Sequence, residues 1–219
     1  MKVYLIRHGA TKGNTEHRYV GTTDEELLLR GRMELEEKLK LWKKKELLEN
    51  QSENFLKAER LYVSPLKRCR QTAEILYPDR KQIIIEDLRE CSFGEFEYRN
   101  YQELNGNPYY QKFIDTKGES GFPGGETLAS FQDRCVRAFE RVIKEEALLM
   151  QRAETIPGHR GPALAFVVHG GTIMAILDKF SVPHRNYYDW QTENGEGFSA
   201  SVIRDGAGFY LGEIEKLWQ

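Results

Sequence analysis

Two arginines, two histidines and one glutamate carry the chemistry that this sequence offers. Arg7 and His8 stand in RHG, Arg68 in SPLKR, Glu90 in LREC and His169 in VVHGGT. Guanidinium forks match the oxygens of a phosphate dianion, and a helix start near Arg68 would add backbone N–H groups. A neutral histidine among them can do more than bind. One ring nitrogen can attack phosphorus while the other donates to a fixed acceptor. Phosphoryl transfer then needs stabilised oxygens and an acid for the leaving oxygen, for which Glu90 is the candidate.

Each residue also has an ordinary explanation. RHG alone is a weak tripeptide. His169 suits the edge of an apolar core, Arg68 suits a helix surface beside Lys67 and Arg70, and Glu90 is one of many glutamates. Their positions argue otherwise. Val3–Ile6 reads as a strand that ends at Arg7. Arg60–Val63 reads as a second strand, followed by Ser64-Pro65, a good N-cap and first-turn pair, with Arg68 in the opening turn of the next helix. Gln82–Ile85 is a third strand, just before Glu90. Ala163–Val168 is a fourth, running into His169-Gly170-Gly171-Thr172 and a helix to about Phe180.

Strands alternating with helices predict an α/β fold, a mainly parallel sheet covered by helices on both faces. In such sheets ligands bind beyond the carboxyl ends of the strands. Three of those ends carry Arg7-His8, Ser64 through Arg68, and His169. Residues far apart in sequence would meet there, and chance is a poor account of that.

The remaining elements frame this site. Residues 27–49 place Leu28, Leu35, Leu39 and Trp42 near one helical face. Lys43–Lys45 lies among Glu36, Glu37, Glu46 and Glu49 and reads as a solvated face. Residues 98–155 turn aromatic, polar and helical, with a loop at Lys117–Gly125 and a long amphipathic helix from Thr127 to about Arg152. Pro157–Pro162 breaks the chain, and FSASVIRDGAGFYLGEIE predicts a β-hairpin turning at Asp205-Gly206.

Composition excludes several function classes. The 219 residues are 40% apolar and 30% charged, ordinary for a soluble globular protein, and the net charge of −2 argues against a general nucleic-acid binder. Cys69, Cys91 and Cys135 lack metal-ligand spacing and read as reduced thiols. The opening apolar run is too short for a signal peptide, and no stretch approaches membrane-spanning length, so a cytoplasmic setting is expected. Other phosphate chemistries find no support. There is no G-x-x-x-x-G-K-[ST] loop. Cys135 to Arg141 has the Cys-x5-Arg spacing of a cysteine phosphatase, but RCVRAFER is a helical run without glycine. No cluster has convincing metal-ligand spacing, so no metal and no cofactor are expected.

Taken in order, the motifs resemble those of the histidine phosphatase superfamily, which includes cofactor-dependent phosphoglycerate mutases. RHGATKGN (7–14) is similar to the family's opening motif, SPLKRCRQTA (64–73) to its second arginine motif, LRECSFGEFE (88–97) to its acid motif, VVHGGT (167–172) to its second histidine motif, and PGGET (123–127) to its PGGES. The resemblance implies His8 as the nucleophile that forms a phosphohistidine, and Glu90 as proton donor. It implies Arg7, Arg68 and His169 as the phosphoryl clamp, Asn14 as a further phosphate contact, and Gly21, Thr22 and Gly170 along the pocket wall. It also implies one domain over 1–219, with a helical insertion at 98–155 capping the site.

FGEFEYRNYQELNGNPYYQKFID and DWQTENGEGFSA look most like α-ribazole phosphatases of cobalamin synthesis. The expected function is therefore a metal-independent phosphomonoesterase acting on a small phosphorylated substrate, with α-ribazole phosphate as the candidate. The alternatives are a phosphoglycerate mutase-type isomerase and a catalytically silent binding protein on the same fold. A mutase clamps a carboxylate with extra cations, whereas NYQELNGNPYYQKFIDTK offers only Lys112 and Lys117. Aromatic faces suit a flat leaving group, and Tyr98, Tyr101, Tyr109 and Tyr110 are the candidates to hold it. The sequence also departs from the family. Glu26 and Leu28 replace a proline and a threonine in DEELLLRG (24–31), Val63 replaces a common serine, Tyr98 a glycine, and the segment between Gly31 and Ser64 is long. The oligomeric state is left open.

Overall fold

In β1 (Lys2–Arg7), Val3 and Leu5 face one apolar cluster while Tyr4 and Ile6 face another. Burial on both faces is what a near-continuous apolar run such as VYLI requires, and it marks a central strand. The computed structural model describes residues 1–49, 55–116, 118–153, 161–206 and 208–218. After β1 come α1 (Lys12–Thr15), α2 (Leu29–Glu49), β2 (Arg60–Val63), α3 (Lys67–Leu76), β3 (Gln82–Ile84), α4 (Tyr101–Leu104) and α5 (Pro108–Asp115). α6 (Leu128–Ala153), β4 (Ala163–Val168), α7 (Gly170–Phe180), β5 (Gly197–Asp205) and β6 (Gly208–Lys216) follow.

The strands form one sheet in the order β3-β2-β4-β1-β5-β6. β1 with β4, β2 with β4, and β2 with β3 pair in parallel, while β5 runs antiparallel to both β1 and β6. The sheet is thus mainly parallel with an antiparallel hairpin at one edge. Gly206 sits at the expected hairpin turn with φ +56°, a conformation that costs glycine nothing.

Helices cover both faces. Ile173, Ile176 and Leu177 of α7 and Phe139, Val142 and Ile143 of α6 pack on the face of Val3, Leu5 and Phe166. Cys69, Ala73 and Leu76 of α3, with Leu39 and Trp42 of α2, pack on the opposite face. Of the apolar stripe expected over 27–49, Leu35 is buried and Leu28 precedes the helix.

A third cluster lies past the strand ends. Phe96, Leu104, Phe122, Phe131 and Cys135 pack on Ala175 of α7. The short helices that frame it are fixed at their starts by asparagines. Asn100 accepts from the N–H groups of Gln102 and Glu103, and Asn107 from those of Tyr109 and Tyr110. α6 therefore contributes to two clusters, with Phe131 and Cys135 in this one and Phe139 to Ile143 against the sheet. Lys117 and the break expected at Pro157–Pro162 fall wholly or largely outside the described residues. Among the described residues, no helix is long and apolar enough to cross a membrane.

Candidate active site

Strand register brings the site together. Arg7 pairs with Val168, and the N–H of His8 donates to the Val168 carbonyl at 3.0 Å. The N–H of Ser64 donates to the Val167 carbonyl at 3.1 Å. β1 and β4 end level, with Arg7 opposite Val168, and β2 ends one residue earlier, with Val63 opposite Val167, so His8, Ser64 and His169 are neighbours just beyond the strand ends.

His8 is 3% exposed, and its Nδ1–H donates to the Gly9 carbonyl at 2.7 Å. A carbonyl only accepts, so the proton is on Nδ1 and the Nε2 lone pair is free. Burial first, then Arg68 and Arg7, hold the ring's pKa well below its usual 6.5. His8 is therefore neutral at pH 7. Its position is fixed by the Gly9 N–H donating to Thr72 Oγ1 at 3.0 Å and the Thr72 hydroxyl donating to the Arg68 carbonyl at 2.7 Å. Asn194 Nδ2 adds a bond to the His8 carbonyl at 3.1 Å. A Cβ on Gly9 would meet Leu35 Cδ1 at 2.6 Å, so glycine here lets α2 approach.

Arg68 is fully buried and points its Nη atoms at the carbonyls of Thr23 at 2.8 Å and Gly21 at 2.9 Å. Arg7 donates from Nη1 to the Thr192 carbonyl at 2.6 Å. Both Nε atoms are buried without a partner among the described residues. A buried donor left unpaired is costly, and an anion between the two arginines would relieve both. Gly170 leaves room for it, since a Cβ there would lie 3.4 Å from Arg7 Nε.

His169 precedes α7, and its Nε2 lies 2.7 Å from Ser64 Oγ. Its Nδ1 lies 4.0 Å from Glu90 Oε2. Burial, then Arg68, lower its pKa well below 6.5. The Glu90 side chain is 13% exposed and accepts the Cys91 N–H on Oε1 at 2.9 Å. Burial raises its pKa above 4.5, against the pull of the Cys91 N–H, Arg68 and Arg7. Its segment is clamped by Arg134, which donates to the carbonyls of Asp87 at 2.8 Å and Arg89 at 3.1 Å and pairs with Glu126 at 2.7 Å. Glu126 in turn accepts the Ser92 N–H at 2.9 Å.

The structure thus gathers Arg7, His8, Arg68, Glu90, His169 and Gly170. Asn14 lies inside α1, where its Oδ1 accepts the Thr11 N–H at 3.2 Å in the capping box whose N-cap is Thr11, and accepts from Asn194 Nδ2 at 3.2 Å; these bonds engage only its oxygen. Gly21 holds Arg68 through its carbonyl, and a Cβ on it would strike the Cys91 carbonyl at 2.0 Å. The side chain of Thr22 is exposed. Ser64 is not the N-cap of α3; Leu66 holds that place, and Ser64 turns to His169. Nor is the start of α3 free for an anion, because Asp24 Oδ1 accepts the Lys67 N–H at 2.6 Å.

Tyr98 has φ +60°, the region glycine occupies freely, and is held there by its hydroxyl donating to Glu25 at 2.7 Å and by Arg18 5.1 Å above its ring. Tyr101 and Tyr109 are exposed, and Tyr110 packs on Phe96. Two cavities meet at Glu90, Gly171, Met174 and Gln191. One of about 440 Å³ is polar and includes Arg7, Glu193 and Lys216. The other, of about 400 Å³, is aromatic, and none of the four tyrosines expected from the sequence lines it. Among the described residues, no group of three or more histidine, cysteine or acidic side chains could hold a metal.

Residues 3–206 match the sequence profile of the histidine phosphatase superfamily (branch 1). Phosphoglycerate mutase-like protein 4 of Arabidopsis thaliana is 27% identical over 184 residues, 81% of this chain and 70% of that one. An α-ribazole phosphatase from Shigella flexneri superposes with a TM-score of 0.69 at 22% identity, covering 96% of this chain and 94% of that one. A phosphoserine phosphatase from Entamoeba histolytica, in complex with 3-phosphoglyceric acid, gives 0.68 at 24% identity, covering 98% and 96%.

Proposed function

The chain belongs to the histidine phosphatase superfamily, and from that premise we propose that it hydrolyses phosphomonoesters through a phosphohistidine on His8, without a metal. The observation that carries this is the tautomer of His8. With Nδ1–H held by Gly9, Nε2 is a neutral nucleophile beside two arginines whose Nε donors are unpaired.

In this reading Arg7, Arg68 and His169 bind the three non-bridging oxygens, with Gly170 leaving space for them. His8 Nε2 attacks phosphorus as the bond to the leaving oxygen breaks, and Glu90 delivers its proton to that oxygen. The resulting carboxylate then takes a proton from water as the water attacks phosphohistidine. Phosphate leaves, and His8 and Glu90 regain their starting states. The raised pKa of Glu90 favours the acid form that the first step needs. In this reading the cap is the part of 98–155 ahead of the sheet-covering half of α6. Asn14 is a further phosphate contact through its amide N–H groups, and Thr22 belongs to the pocket wall.

Among substrates we place α-ribazole phosphate first, because FGEFEYRNYQELNGNPYYQKFID resembles that subgroup and a fold neighbour carries that name. The test is rapid-quench trapping of an acid-labile phosphoenzyme, followed by a turnover panel of α-ribazole phosphate, phosphoserine and 3-phosphoglycerate. A phosphoenzyme that forms with the wild type and vanishes in His8→Ala supports the mechanism. Turnover without one, or an undiminished phosphoenzyme in His8→Ala, refutes it.

A further inference from the structure

The two cavities that meet at Glu90 offer a leaving group opposite surroundings. The polar one includes Arg7, which belongs to the phosphoryl clamp, and side chains of both signs in Glu193, Glu196 and Lys216. The aromatic one runs from Glu90 past Tyr19, Phe93, Phe122, Phe131, Tyr187 and Tyr188. Glu90 is the only charged residue among its described lining. Its walls are built rather than incidental. Tyr19 and Phe93 meet edge to face at 5.1 Å, Phe93 and Phe122 at 4.9 Å, and Tyr187 and Tyr188 at 5.1 Å. Edge-to-face pairs lock ring orientation and leave other faces open to a guest.

We propose that this aromatic cavity receives the leaving group, and that the enzyme selects phosphomonoesters of neutral alcohols bearing a flat ring. The proposal rests on the phosphomonoesterase reading above. An acid must touch the leaving oxygen, so the leaving group begins at Glu90 and extends into one of the two cavities. Arg7 is engaged with the phosphoryl group on the polar side. The aromatic side holds none of Arg7, His8, Arg68 and His169, and its size suits one ring system. A ring gains there by leaving water and by ring–ring contact. A carboxylate would be desolvated beside Glu90 with no cation from the described residues to meet it, which disfavours phosphoglycerates.

The experiment compares kcat/KM for 2-phenylethyl phosphate and ethyl phosphate, whose leaving oxygens are of similar basicity, with 3-phosphoglycerate alongside. The expected result is a ratio of at least about ten in favour of the ring. It should fall severalfold in Tyr188→Ala and be retained in Tyr188→Phe. Tyr188 is 56% exposed, so its truncation does not open the core. Phosphohistidine formation with both substrates but a ratio near one overturns this proposal and leaves the function standing. A preference for 3-phosphoglycerate, or a ratio unmoved in Tyr188→Ala, overturns it too. If no phosphohistidine forms with any substrate, the function fails and this proposal falls with it.

Discussion

The rings of His8 and His169 stand 5.2 Å apart at 66°, and a separate hydrogen bond orients each. His8 gives its Nδ1 proton to Gly9, so Nε2 is a lone pair. His169 meets Ser64 through Nε2, and a neutral ring carries a single N–H. If Nε2 held it, the buried Ser64 hydroxyl proton would be left, among the described residues, with the Cys69 sulfur as acceptor, and sulfur accepts weakly. With Ser64 donating, its hydroxyl meets a nitrogen acceptor and Nδ1–H of His169 is left toward Glu90 Oε2, 4.0 Å away. One ring then offers a lone pair and the other a proton, as attack and oxygen binding respectively require.

Ser64→Ala should therefore lower kcat/KM by roughly 10- to 100-fold, the range expected when a buried hydrogen bond of about 1–3 kcal/mol is lost. Ring ¹⁵N shifts should show His169 moving from the Nδ1–H tautomer to a mixture, while His8 stays unchanged. Ser64→Thr should restore most of the activity. A wild-type His169 protonated on Nε2 would contradict the assignment.

Stability should fall as the medium turns mildly acidic. Both histidines have folded pKa values below their unfolded value of 6.5. Below pH 6.5 the unfolded chain binds more protons, so stability is full above that pH and declines as pH falls toward the folded values. Each ring adds to that decline until the pH reaches its own folded value. Glu90 is raised and acts in the opposite sense above pH 4.5, equally in any pair of proteins that retain it. His8→Asn should thus flatten the fall of unfolding free energy as pH drops below 6.5. Urea titrations read this directly, and identical slopes would show that His8 is not held neutral.

The parts of this architecture legible in the sequence are local. Val3–Ile6 and Ala163–Val168 announce themselves as apolar runs, and Arg7, His8 and His169 follow them at once. The partners of those residues are not local. Ser64 lies 105 positions from His169, and Thr72 lies 63 from Gly9. Ser64-Pro65 is a fair helix-start signal on its own, and only the pairing of β2 with β4, Val63 opposite Val167, brings the hydroxyl to the histidine. The reach of Arg134 to the carbonyls of Asp87 and Arg89, 47 and 45 positions away, and of Asn194 to that of His8, 186 away, is hidden in the same way. Aromatic content marked the cap, but residue type does not say which way a short helix faces. The asparagine-capped α4 and α5 leave Tyr101 and Tyr109 in water, while Tyr187 and Tyr188 reach the cavity from a turn far along the chain.

Exhaustive chelation should leave turnover unchanged. Arg7, Arg68 and His169 supply the donors and positive charge that a metal would bring to the transferring oxygens. The measurement is activity after dialysis against a strong chelator, with metal content checked by elemental analysis. Activity lost on chelation and restored by one divalent ion would count against the mechanism.

Glu90 should matter unequally for different leaving groups. An alkoxide leaves badly unless protonated in the transition state, whereas a nitrophenolate is far less basic and needs little help. A positioned general acid typically contributes on the order of 10²–10⁴-fold. Burial raises the pKa of Glu90, and an incoming dianion raises it further, so the acid form is favoured when substrate is bound. Glu90→Gln should therefore slow phosphorylation by alkyl phosphates within that range and phosphorylation by p-nitrophenyl phosphate only a few-fold. The wild-type alkyl rate should decline as pH rises through the Glu90 pKa, and the variant should lack that limb. Because Glu90 also serves as the base for the hydrolytic step, steady-state rates mix the two roles, and the nitrophenol burst isolates the first. Within this motif, no other described glutamate is placed to substitute. Glu97 is committed to the N–H groups of Gly21 and Thr23, both at 2.8 Å, and Glu95 is exposed. Equal losses for both substrate types in the burst phase would remove Glu90 from the leaving-group role, with no other described glutamate of this motif left to fill it.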